Sequence, residues 1–132
     1  MFGMARRWEE YSDPGPVRRN ELYVSMTPQG RFVLNRHTYE ALGRPGHIVL
    51  LFDFDSSTVG IRPASGRALN SFRMQRHGAF GSHLFTAGRF VKKFNLKLDH
   101  TLRFPNAEIE DGVLILELLY GVKVHPGRQR RT

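Results

Sequence analysis

The sequence predicts a mainly β domain with two short helices. Three features predict it: apolar residues that alternate along short runs, turn signals at regular intervals, and one order of elements that occurs twice. In the first run Leu22, Val24 and Met26 alternate with Tyr23, Ser25 and Thr27, as in a strand with one buried face. Pro28-Gln29-Gly30 is a turn, because Pro sets φ and Gly is free to take φ above zero. Arg31 to Leu34 reads as the returning strand. Asn35 is a good N-cap for a helix that ends at Leu42, with Gly43 just past its end and Pro45 beyond. The run from Ile48 to Phe54 is almost continuously apolar and predicts a strand buried on both faces. Asp55-Ser56-Ser57 turns the chain, and a strand from Thr58 to Arg62 completes a β-β-α-β-β unit.

The same order is expected again after a linker near Pro63 to Gly66. A strand is expected over residues 69–75, a Gly-rich turn over 77–81 and a second strand over 82–85. Thr86 is the expected cap of a helix whose Phe90, Val91 and Phe94 share a face. A strand over residues 101–104 follows. Asp111-Gly112 then predicts a hairpin between residues 107–110 and 113–118. Gly30 and Gly81 align the halves, each five residues before an expected cap, and His47 and His100 each open a third strand. The identical Gly30-Arg31-Phe32-Val33 and Gly88-Arg89-Phe90-Val91 offer another alignment. It fails because Asn106-Ala107-Glu108 would then match the apolar Ile48-Val49-Leu50. The expected organisation is an N-terminal arm (1–20), one domain (21–120, with units 21–64 and 67–120) and a basic C-terminal tail (121–132). Trp8 and Tyr11 are candidate anchors of the arm.

Charge narrows the partners. The chain of 132 residues carries 20 Lys and Arg against 12 Asp and Glu, a net +8. Residues 21–64 are neutral, whereas residues 121–132 carry Lys123, Arg128, Arg130 and Arg131 with no acid. A basic tail of this kind binds polyanions by releasing counterions and also promotes solubility. Cysteine is absent, which excludes disulfides, thiolate metal sites and cysteine nucleophiles. The first residues lack the apolar run of a secretory signal, and no apolar run approaches membrane-spanning length, so a cytoplasmic protein without membrane contact is expected.

Gly30-Arg31-Phe32-Val33-Leu34, followed by Leu42-Gly43, resembles the AbrB/SpoVT-type family of DNA-binding proteins, to which the MraZ-like proteins are related. Residues 23–63 fit that pattern, with no gap through the Gly-Arg to Leu-Gly portion, and residues 69–118 fit it in outline. The resemblance implies a swapped-hairpin β-barrel, which two units in one chain would complete as an intramolecular pseudo-dimer. It also implies a transcriptional or antitoxin-like regulator that grips DNA with a basic face. Arg31, Arg36 and Arg44 of the first unit are the implied DNA-binding residues, joined by Arg89, Lys92 and Lys93 of the second. Three positions depart from the family: Asn35 stands where Pro is usual, Tyr39 and Glu40 occupy the helix, and Ser82 replaces the second Arg. The Tyr39-Glu40 helix and the aromatic arm favour the alternative, a non-catalytic protein-interaction or assembly module on the same barrel. A monomeric pseudo-dimer and a homodimer both remain open.

Catalytic and cofactor chemistry finds no positive support. His37, His47, His77, His83, His100 and His125 show no i, i+4 pair and no facial triad. Asp53 and Asp55 read as hairpin-tip carboxylates rather than Mg²⁺ ligands. Gly78 and Gly81 lack the spacing and following Lys of a phosphate loop, and no Ser lies in a nucleophile elbow. No metal or cofactor is expected.

Overall fold

Val24 and Met26 are fully buried while Ser25 between them is not, and this alternation forms the first strand, β1 (Val24–Met26). The structure, a computed structural model, describes residues 21–124. Trp8, Tyr11 and most of the basic tail lie outside the described residues. β2 (Arg31–Leu34) returns antiparallel, with Met26 opposite Phe32. α1 (Arg36–Ala41) starts where predicted, because Asn35 Oδ1 accepts the Thr38 N–H at 2.9 Å. It stops in a Schellman motif. Gly43 N–H donates to Glu40 O and Arg44 N–H to Tyr39 O, with Gly43 at φ 96°. β3 (His47–Asp53) and β4 (Thr58–Ala64) then form a hairpin.

The second half begins with two short strands, β5 (Phe72–Arg73) and β6 (Gln75–His77), followed by β7 (Ser82–Thr86) and α2 (Gly88–Lys93). β8 (Thr101–Arg103), β9 (Glu108–Glu110) and β10 (Val113–Glu117) lead through a 3-10 turn at Leu118–Tyr120 to β11 (Val122–Val124). Asp111 and Gly112 both take positive φ, 52° and 78°, the two-residue turn that the Asp-Gly pair predicts. α2 closes as α1 does. Asn95, at φ 53°, donates to Lys92 O, and Leu96 donates to Val91 O.

The strands form two sheets, ordered β11-β8-β1-β2-β7-β6 and β5-β3-β4-β10-β9. In each, strands of the first half pair antiparallel with strands of the second: β1 with β8 and β2 with β7 in the larger sheet, and β4 with β10 in the smaller. The inner faces share one core. Val24, Met26, Phe32, Leu34 and Phe85 come from one sheet, and Ile48, Val59, Ile61, Leu114 and Leu116 from the other. Phe32 and Phe85 stack across the junction of the halves at 4.8 Å. Each half also seats its first hairpin turn on the other half's helix. A Cβ on Gly30 would lie 2.8 Å from Ala87 O, and one on Gly81 would lie 2.9 Å from Arg36 Cδ.

Several expectations change. Among the described residues neither sheet closes on itself, so two open sheets stand where the sequence predicts a barrel. The strand expected over residues 69–75 is absent from residues 69–71, and Leu69 is 96% exposed. What remains is split at Met74, whose N–H donates to Gly46 O, so β5 pairs with β3 in one sheet and β6 with β7 in the other. β3 is not buried on both faces: Ile48 is fully buried, but Leu51 is 39% exposed, because only one face of its sheet meets the core. Thr86 is not the cap of α2. It pairs with Arg31 in the sheet, and Ala87 takes the cap position with no side-chain hydrogen bond. Val122–Val124, inside the stretch expected as tail, adds a strand to β8. His100 sits one residue before β8, not at its start. No helix among the described residues is long and apolar enough to cross a membrane.

Thr38 links α1 to the chain before β1. It is fully buried, accepts the Tyr23 N–H at 2.8 Å on Oγ1, and donates to Asn35 Oδ1. Thr38→Val keeps the shape but leaves the Tyr23 N–H without its acceptor, so a loss of about 1–3 kcal/mol is expected in urea unfolding. A loss below about 0.5 kcal/mol would show that water replaces the hydroxyl at no cost.

Candidate nucleic-acid interface

Charge is divided between the two sheets. The strands of the six-stranded sheet carry Arg31, Arg76, Arg103 and Lys123 and no carboxylate. Those of the five-stranded sheet, with their two hairpin tips, carry Asp53, Asp55, Glu108, Glu110, Asp111 and Glu117 against Arg62 and Arg73. Carboxylates crowd at the acidic end. Glu108 beside Glu110 raises the Glu110 carboxyl above its ordinary range, first through a side-chain hydrogen bond and then through repulsion.

The six residues implied by the resemblance are all exposed. Arg31 lies at the start of β2, opposite Thr86. Arg36 and Arg44 meet on one carboxylate: Arg36 Nε is 3.1 Å and Arg44 Nη2 3.2 Å from Glu40 Oε2. The Arg36 hydrogen bond is the main reason that Glu40 titrates below its ordinary value, helped by the attraction of both guanidinium groups. Two of the six cations are thus partly neutralised by one carboxylate of α1. Those of α2 differ. Among the described residues no carboxylate pairs with Arg89, Lys92 or Lys93. The Arg89 guanidinium instead lies over the Phe72 ring, 4.8 Å from its centroid. Arg89 and Lys93, one helical turn apart, border a cleft of about 350 Å³.

The sequence reading missed a second basic group. Arg73, Arg76 and His83 line a polar recess of about 570 Å³ beside α1. Tyr39 stacks on His83 with ring centroids 3.5 Å apart and donates its hydroxyl to Pro45 O. The lining residues come together because Arg76 pairs with His83 in the sheet and the chain changes sheets at Met74. Two arginines three apart, Arg73 inside the strand expected over residues 69–75 and Arg76 just past its end, were the available signal. Their common surface depends on a break that the residues do not announce. On the far side of the six-stranded sheet Lys123 Nζ is 3.9 Å from Asp99, whose pKa is lowered chiefly by its hydrogen bond with His100. No group of three or more His, Asp or Glu side chains placed to hold a metal ion occurs among the described residues.

Comparison with models of protein families, with curated proteins and with solved structures finds no match.

Proposed function

We propose that this chain binds duplex DNA as an AbrB-like regulator, its two halves acting as an intramolecular pseudo-dimer. The observation that carries this reading is the division of charge: one sheet has cations alone on its strands, and α2 adds three cations that no described carboxylate pairs with. Exposed cations attract a phosphate backbone, which supplies most of the affinity of a DNA-binding protein and makes it salt-sensitive. The cross-half pairings of β2 with β7 and of β4 with β10 support the pseudo-dimer, because they place the halves about shared seams as two protomers would be.

A second reading, a protein-interaction module, has its own support. Leu119, Tyr120 and Val122 are 73%, 60% and 39% exposed and lead into the edge strand β11. Exposed apolar side chains close together at a sheet edge suit a protein partner.

Titration of the full chain against a random duplex, between about 50 and 200 mM salt, separates the two. The titration is repeated with Arg128, Arg130 and Arg131 replaced by Gln. Binding that persists in the substituted chain and weakens steeply with salt is the expected result. Binding that disappears with the three tail arginines would overturn the DNA reading of the folded body.

A further inference from the structure

The cleft beside α2 joins two kinds of surface. Its floor is apolar, formed by Leu50 of β3, Phe72 of β5, Phe90 of α2 and Phe94 at the end of that helix. Its border is cationic, with Arg89 and Lys93 on successive turns, and Asn70 supplies an amide from the loop before β5. No carboxylate lines it, and neither cation pairs with one among the described residues. The contact with Phe72 holds the Arg89 guanidinium above the floor and leaves its N–H groups available to an incoming oxygen.

We propose that this cleft binds a small monocarboxylate with an apolar body. The carboxylate would take charge-assisted hydrogen bonds from Arg89 and Lys93, and the body would cover Leu50, Phe72 and Phe94. A volume of about 350 Å³ falls in the range of small-ligand sites, roughly 300–1,000 Å³. Charge and floor together select the class. A compact anion such as phosphate would leave the phenylalanines wet, and a neutral apolar molecule would leave two cations without a partner. Arg89 and Lys93 serve the DNA reading as well, but carboxylate binding in the cleft does not require DNA binding.

The test uses the full chain with octanoate and 1-naphthoate, a chain and a ring that bear the same head group, and with octanol as the uncharged control. Calorimetry follows affinity, and NMR of the Leu50 methyls and the Phe72 and Phe94 rings reports where the ligand sits. Saturable one-to-one binding of either carboxylate, with shifts centred on those residues, is expected. Whichever of the two binds more tightly tells whether the body is a chain or a ring. R89Q/K93Q, at two exposed positions, should bind about tenfold more weakly or worse with an unchanged melting temperature. No saturable binding of either carboxylate would overturn the proposal. So would equal binding of octanol, shifts centred elsewhere, or unchanged affinity in the double variant.

Discussion

Replacing Phe32 by Ala should lower stability by about 3–5 kcal/mol, the range for removing a buried aromatic side chain. Phe32 is fully buried, sits opposite Met26 on one side and Phe85 on the other, and stacks on the Phe85 ring. The substitution therefore opens a cavity where the halves meet, beside a core drawn from both sheets. Because the cavity lies at this seam, both halves should lose structure in one transition with the slope of the denaturation curve unchanged. Phe80→Ser is the matched control. Phe80 is 88% exposed on the hairpin turn, so its loss should fall within about ±0.5 kcal/mol. Chemical denaturation followed by circular dichroism measures both variants. Two separate transitions in Phe32→Ala, or a cost close to that of the control, would mean that the halves do not depend on a common interior.

The other large effect concerns binding. Neutralising Arg89, Lys92 and Lys93 together should flatten the dependence of log affinity on log salt by ~2.7, since each lost phosphate contact removes ~0.9. Glu40→Gln should act in the opposite direction. It releases Arg36 and Arg44 from the carboxylate they share, so affinity should rise without any new cation. The pair of results is more telling than either alone. Non-specific attraction to the chain's net charge of +8 would respond to Glu40→Gln and to an acidic-end substitution such as Asp111→Asn about equally. Contact through the helices would respond to Glu40→Gln alone. Filter binding or anisotropy with one duplex at several salt concentrations decides between them.

Much of the local structure was legible in the residues. Asn35 and Gly43 mark both ends of α1, Asp111-Gly112 marks its hairpin, and the alternation of Val24 and Met26 marks a buried face. These are effects of near neighbours: a cap, a left-handed turn, a two-residue period. Thr86 shows where that reasoning gives out. A threonine before a helical pattern is a fair cap, but here it is held in the ladder opposite Arg31, and Ala87 is left at the helix start. Leu69 shows it again, since an apolar residue in a plausible strand is left in solvent when no partner strand reaches it. Among the site residues, the exposure of the six cations followed from their chemistry. The capture of Arg36 and Arg44 by Glu40, and the grouping of Arg73 and Arg76 with His83, did not.

The sequence by itself determined a mainly β chain with two short helices, most of the strands and turns, and the excess of positive charge. Only the tertiary structure decided that the chain crosses from one sheet to the other at Met74. It also decided that the sheets stay open, and that acids gather on one sheet while cations occupy the other. The physical reason is distance along the chain. Caps and turns are settled within a few residues, whereas pairings such as Phe32 with Phe85 or Ile61 with Leu114 join residues more than fifty apart, and their register is set by which apolar faces can be buried together.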